Sequence, residues 1–241
     1  MNIPILMYHH VKNDPVPFEA SFTVSIDNFE QQMQYLNNKK YNIITLEDLI
    51  SAVKSNEKIL AKTCVITFDD GYENFLDFAY PVLQKYNFVA TVFLTSGCIG
   101  DISKWDAKYV NAKLLSKEQI CELSKNGISF GSHSKTHPHF SKLNSDEILR
   151  EIVESKKEIE GILGKRINTF SYPYNEYNFN IEKLVEKAGF DCACAIRSHN
   201  RTVTENVYAL RRINVKNSDK LFQFSRKISR WYLWYRGIRR R

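Results

Sequence analysis

No stretch of this 241-residue chain stays apolar for long. A membrane-spanning helix needs roughly 20 such residues, so none is expected. The opening Met1-Asn2-Ile3-Pro4-Ile5-Leu6-Met7-Tyr8 lacks a basic region, a long apolar stretch and a small-residue cleavage site. It reads as a first strand, not a secretory leader, and a cytoplasmic location is expected. Cysteines number five, an odd count. That argues against a disulfide framework and suits a reducing compartment. Cys192 and Cys194 flank a single residue, with no second pair to complete a metal site, and read as buried strand positions. Internal repeats, low-complexity tracts and linkers are also missing. After Asp219 there is no acidic residue, whereas eight lysines and arginines follow it. Those eight exceed the net charge of +7, leaving residues 1–219 at −1. The basic excess belongs to the tail, so the overall charge does not point to a nucleic-acid-binding fold.

What the chain does have is core-forming material: 43% hydrophobic and 13% aromatic residues, enough to fill a sizeable core, so disorder is not the expected state. Strand patterns end near 7–10, 43–45, 65–69, 90–94, 129–132, 169–172, 193–196 and 209–213. Helix patterns run over 27–38, 46–55, 72–86, 116–126, 145–163, 180–188 and 219–235. Ser145-Asp146-Glu147 opens its helix with a cap and early acids, and Gly127 and Gly189 stand where two helices stop. Alternation of this kind implies an α/β domain with a parallel sheet or a barrel. One domain is expected over residues 1–217, followed by a basic amphipathic segment over 218–241.

The most informative stretch is Thr67-Phe68-Asp69-Asp70-Gly71-Tyr72. Cys64, Val65, Ile66 and Phe68 make a buried strand, and two adjacent carboxylates follow. Inside a strand they would be costly without partners. At its carboxyl end, with Gly71 freeing the turn, both can face a cleft. A plain strand-to-helix turn capped by Asp70 would use the same residues.

A second signal is Phe130-Gly131-Ser132-His133-Ser134-Lys135-Thr136-His137-Pro138. Imidazoles at i and i+4 just past a strand can point at one ion, although surface helices carry the same spacing by chance. Asp70, His133 and His137 would give two nitrogens and one oxygen, the donor set of a catalytic zinc with an open position. His139 reads as a flanking residue. A third signal, Phe170-Ser171-Tyr172-Pro173-Tyr174-Asn175, runs an aromatic strand end into a proline that fixes the backbone. The fourth is the histidine pair in Tyr8-His9-His10-Val11. All fall at carboxyl ends of predicted strands, the face where barrel sites assemble.

Together these residues resemble the polysaccharide deacetylase family that contains the NodB homology domain, carbohydrate esterase family 4, from Tyr8 to about Val215. The resemblance implies a distorted (β/α)7 barrel. It implies Asp69 as general base, one divalent metal (zinc) on Asp70, His133 and His137, and an oxyanion donor at the Tyr174 N–H. Three features depart from the family pattern. Ser171 replaces an arginine, an aspartate–tryptophan groove motif is not visible, and Leu210-Arg211-Arg212 stands where a late Leu-x-His supplies the general acid. The Tyr-His-x-Val opening is similar to the subgroup acting on poly-N-acetylglucosamine-type exopolysaccharide, whose acid histidine comes from the first strand. It implies His9 as acid, with His10 the lesser candidate. Arg212 is expected to pair with Asp69 in place of the missing arginine.

The implied activity is metal-dependent removal of an N-acetyl or other N-acyl group from an amino sugar of a glycan. Two alternatives stay open: deformylation or deacetylation of a lipid-linked monosaccharide at the inner membrane face, and a catalytically silent carbohydrate-binding protein. Over 220–235, Leu221, Phe224, Ile228, Trp231, Tyr232 and Tyr235 share one helical face, and the basic residues from Arg226 to Arg241 follow or oppose it. That segment reads either as a closing barrel helix or as a helix on an anionic membrane. No specific nucleic acid is expected.

Overall fold

In this computed structural model, residues 2–13, 22–105, 112–196, 198, 200, 202–229 and 232 are described. The chain runs through β1 (Ile5–Tyr8), β2 (His10–Lys12), β3 (Thr23–Ser25), α1 (Ile26–Asn38), β4 (Asn42–Ile44) and α2 (Leu46–Lys54). Next come β5 (Thr63–Phe68), α3 (Tyr80–Lys85), β6 (Ala90–Leu94), α4 (Lys117–Lys125), β7 (Ile128–Ser132) and α5 (Ser145–Leu163). The last elements are β8 (Thr169–Ser171), α6 (Phe179–Lys187), β9 (Cys192–Ala195), β10 (Leu210–Arg211), β11 (Ile213–Asn214) and α7 (Leu221–Ile228).

The apolar runs become parallel strands buried on both faces, as a sheet wrapped by helices requires. β1 lies between β5 and β11, and the order continues from β5 through β6, β7, β8 and β9 to β10. β10 and β11 are two halves of one strand. Leu210 and Arg211 pair with Cys194 and Ala195 of β9, whereas Ile213 and Asn214 pair with Leu6 and Met7 of β1. A single segment, broken at Arg212, thus joins both edges of the sheet and closes a barrel of seven staves. β4 is wedged in beside the first half of β5, and β6 takes the second half of the same edge. That split distorts the barrel, in agreement with the (β/α)7 expectation.

The helices bury one stripe each. In α5 the buried residues Ile148, Ile152, Ser155 and Ile159 recur every three or four positions, and Asn144 caps its start in a reciprocal box with Glu147. The helix expected over 72–86 is modified by Pro81. Without that N–H the regular ladder cannot form, and a wider π turn over Phe75–Ala79 precedes α3.

The helix expected over 219–235 is described as α7 alone. Asp219 lies outside it, buried, and accepts hydrogen bonds from the Lys216 N–H and the Lys227 ammonium. Phe224 and Ile228 are buried, and the Phe224 ring meets Tyr35 of α1 edge-on at 6.2 Å. Two residues of the apolar face of α7 therefore pack into the core beside α1, whereas Leu221 stays exposed. Arg230, Trp231, Tyr235 and the basic end over 236–241 lie outside the described residues. No described helix is long and apolar enough to cross a membrane.

Candidate active site and its metal-binding triad

Asp69 still belongs to the ladder of β5, since its N–H donates to the Tyr8 carbonyl at 3.0 Å. Strand alternation would send the next side chain to the opposite face. Asp70 instead adopts φ 73° and Gly71 φ 78°, so the chain reverses and both carboxylates reach one pocket. A left-handed non-glycine residue costs about 1–3 kcal/mol and persists where its surroundings impose it. At Gly71 a Cβ would lie 2.7 Å from the Leu94 side chain.

Asp69 is locked by Arg212. The guanidinium donates from both terminal nitrogens to the two carboxylate oxygens, each at 2.6 Å. It also donates to the Thr67 hydroxyl at 3.2 Å and the Ser171 hydroxyl at 2.8 Å. Both members are fully enclosed, at 3% and 2% exposure. Burial pushes the Asp69 carboxyl up, but the charge and hydrogen bonds of Arg212 outweigh it, helped by His133 and His9, and hold it well below the usual carboxylate range. The expected pairing is therefore present. The small Ser171 leaves room for a guanidinium arriving from the broken last strand.

The other side of the pocket is a triad. One atom each from Asp70, His133 and His137 lies within 4.8 Å of the others, and all three residues are buried. His133 follows β7 and donates from Nδ1 to the Ser171 carbonyl at 2.7 Å, which leaves Nε2 as the lone-pair nitrogen facing Asp70. The two Nε2 atoms stand 3.5 and 3.4 Å from Asp70 Oδ1. These spacings are long for hydrogen bonds. They match the roughly 3.4 Å separating ligands that sit about 2.1 Å from one tetrahedral ion. Burial lowers the pKa of both imidazoles, so they stand in the neutral form a metal takes. The residues fit a divalent cation.

The spacing of His133 and His137 is set by a loop, not by a helix. Ser134 and His137 are left-handed, with φ 66° and 57°, and the Ser134 hydroxyl accepts the His137 N–H at 3.1 Å. Glu151 of α5 accepts the N–H groups of Lys135 and Thr136 at 2.9 and 2.8 Å. At Gly131 in β7 a Cβ would lie 2.4 Å from the Thr169 hydroxyl, so a glycine is needed there for β8 to approach.

Between β1 and β2, His9 places Nε2 3.9 Å from Asp69 Oδ2. His10 also lines the pocket, but its ring is engaged by other side chains. It stacks on Tyr72 at 3.7 Å and meets the Asn74 amide nitrogen through Nδ1 at 2.8 Å. Burial, then the neighbouring His9 and Lys12, lower its pKa to about 3. Tyr174 sits on the turn after β8 with φ 53°, followed by Asn175 with φ 60°. Its ring meets that of His137 edge-on at 4.6 Å. The structure thus brings His9, Asp69, Asp70, His133, His137, Tyr174 and Arg212 to one cavity of about 210 Å³.

Sequence reasoning missed Trp105, which stacks on His137 at 4.9 Å, and Phe22, which meets His9 at 4.8 Å; both line the cavity. A tryptophan in a loop carries no periodic signal. A search for any loop tryptophan between β6 and β7 would have found it.

A sequence model of polysaccharide deacetylases matches residues 56–193. The chain belongs to the polysaccharide deacetylase family. It is 30% identical over 213 residues to YxkH of Bacillus subtilis, named as a polysaccharide deacetylase, covering 88% of this chain and 71% of that protein. Over 246 residues it is 26% identical to the poly-β-1,6-N-acetyl-D-glucosamine N-deacetylase of Staphylococcus aureus, covering 94% of this chain and 81% of that one. The structure superposes on Streptococcus pyogenes deacetylase PplD, solved in complex with acetate. The TM-score is 0.83 at 25% identity, over 95% of this chain and 99% of the other. The barrel fold is shared by IcaB of Ammonifex degensii, with a TM-score of 0.78 at 20% identity over 97% of each chain.

Proposed function

We propose that this polysaccharide deacetylase is a zinc-dependent hydrolase that removes N-acetyl groups from N-acetylglucosamine residues of a poly-N-acetylglucosamine-type glycan. The observation that carries the reading is the division of labour between two adjacent carboxylates. Asp69 is held ionised by Arg212, while Asp70 joins two neutral imidazoles in a cation-sized triad. The substrate class follows from the S. aureus relative and from the Tyr8-His9-His10-Val11 opening.

Asp70, His133 and His137 would hold the zinc, which when bound supplies Lewis acidity to the amide carbonyl and to water. Asp69, ionised at neutral pH, takes a proton from the attacking water. The Tyr174 N–H donates to the oxygen on which negative charge develops, and one such donor contributes roughly 100- to 1000-fold in rate. His9, protonated, delivers a proton to the departing amine, so that the leaving group is not an amide anion. Acetate and a free amino sugar result. Arg212 keeps Asp69 charged and aimed. The cavity is smaller than the roughly 300–1,000 Å³ of drug-sized ligand sites, which suits an acetamido group with part of one sugar ring.

The test is acetate release from N-acetylglucosamine oligomers by metal-stripped protein and by protein reloaded with zinc. Zinc-restored release is expected. Activity restored by another divalent ion and not by zinc would overturn the metal identity. Release from a lipid-linked monosaccharide alone would move the substrate to the alternative considered above. Absence of release from every acylated sugar would leave a carbohydrate-binding protein. The anionic membrane is not carried forward: Phe224 and Ile228 of α7 are buried, and most of the basic segment from Arg226 to Arg241 lies outside the described residues.

A further inference from the structure

The loop after β7 and the turn after β8 are fastened together by residues that the proposed chemistry leaves unused. Glu176, two positions beyond Tyr174, accepts a hydrogen bond from His139 Nδ1 at 2.7 Å and another from the Ser141 N–H at 2.9 Å. The His139 ring lies flat on the Tyr174 ring, with centroids 3.8 Å apart and planes 10° apart. Tyr174 and Asn175 are consecutive left-handed residues, and a bulky side chain holds that conformation only where its surroundings impose it. Burial does not impose it, since Tyr174 is 42% exposed. The stack and the carboxylate bridge restrain it from the side of the β7 loop, beside the edge-on contact of its ring with His137 and the bond from its hydroxyl to the Trp105 carbonyl at 3.4 Å. Asn175 adds a further tie, its side-chain oxygen accepting the Ile196 N–H.

We propose that His139 and Glu176 are positioning residues that lock the Tyr174 turn to the loop carrying His137, and so fix the Tyr174 N–H relative to the metal triad. The residue types suit the task. An imidazole is both a flat stacking surface and an N–H donor, whereas a phenyl ring could stack but not reach Glu176. A carboxylate has two oxygens, and here they serve one side-chain donor and one backbone donor of the same loop. The proposal rests on the deacetylase reading for the role of Tyr174, and its structural half can be measured without it.

The experiment compares His139→Ala, His139→Phe, Glu176→Ala and Glu176→Gln in the full chain, by steady-state kinetics, bound-metal analysis and amide hydrogen exchange over residues 172–177. Small misplacements near a reacting centre cost about 100-fold. The alanine variants are therefore expected to lose roughly 10- to 100-fold in kcat, with KM within about twofold and bound metal unchanged. Exchange over 172–177 rises in the same variants. His139→Phe, which keeps the stack, and Glu176→Gln, which keeps an acceptor, recover part of kcat. An unchanged kcat in both alanine variants would overturn the proposal, even with faster exchange. A loss confined to KM would also overturn it, by making these residues sugar contacts. If the parent protein releases no acid from any substrate, the deacetylase reading falls, while exchange over 172–177 still decides whether the clamp exists.

Discussion

Asp69 and Asp70 are joined by one peptide bond and are both buried, yet their surroundings are opposite. On the Asp69 side a resident cation, Arg212, meets both carboxylate oxygens at 2.6 Å. On the Asp70 side the neighbours are two imidazoles kept neutral by burial, at distances that suit a shared ion better than hydrogen bonds. The first charge is compensated by the chain itself, while the second is arranged for compensation by a ligand. A buried ion pair needs close geometry and further hydrogen bonds to offset its desolvation; here Thr67 and Ser171 each accept from a terminal nitrogen of Arg212, while its Nε is buried without a partner. The same strand end therefore supports two chemistries, because the left-handed turn at Asp70 and Gly71 brings to one pocket two side chains that alternation would have divided between core and pocket.

The largest expected effects break one side while leaving the other intact. His133→Ala should lose bound zinc and roughly 1000-fold or more in kcat/KM, since several kcal/mol of charge stabilisation go with the metal. Asp69→Asn should lose about 100- to 10,000-fold in kcat and keep its zinc. Metal analysis of both purified variants beside acetate release checks the division. An active Asp69→Asn protein, or one that has lost its metal, would erase the distinction. His9→Ala should fall within a similar kinetic range with zinc retained, and His10→Ala far less, as judged by kcat on the same oligomer.

A smaller effect probes how the Asp69 side is held. Removing Arg212 strands a buried charge, at a cost of about 3–5 kcal/mol by comparison with other broken buried pairs. The pH dependence has a definite sign. Asp69 has a depressed pKa in the folded protein, so its pairing stabilises the fold above the ordinary carboxylate pKa and that stability is lost as pH falls through the depressed value. In Arg212→Ala the acidic limb of the kcat/KM profile should move to higher pH, and denaturant unfolding should show the stability loss at neutral pH. An acidic limb that stays in place would mean that Arg212 does not set the ionisation of Asp69.

Much of this contrast was legible in the sequence, for a local reason. Asp69, Asp70, His133 and His137 each follow an apolar strand run, and strand ends in a parallel α/β array share one face. The missing family arginine, together with an arginine at the end of the last strand, points to the pairing of Arg212 with Asp69. What was not legible depended on register and on long-range contact. The break at Arg212 that lets one strand pair with both β9 and β1 leaves no mark in composition. Trp105 on His137 and Glu176 on His139 join loops far apart in the chain. The helical period over 219–235 includes α7, but Asp219 turned inward to Lys227, and of the expected apolar face Phe224 and Ile228 are buried while Leu221 is exposed.

The smallest predicted effect is the most discriminating, because Ser171 touches both sides. Its hydroxyl accepts from Arg212 at 2.8 Å, and its carbonyl accepts from His133 at 2.7 Å. Ser171→Ala deletes the first contact and retains the second. A hydrogen bond to a charged group contributes about 1.5–3 kcal/mol, so a loss of that size in unfolding free energy is expected, with a modest upward shift of the acidic limb. Zinc affinity should stay at the parent value, measured by competition with a chelator. If zinc affinity fell as far as stability did, the two carboxylates would share one coupled network, and their separate roles would have to be abandoned.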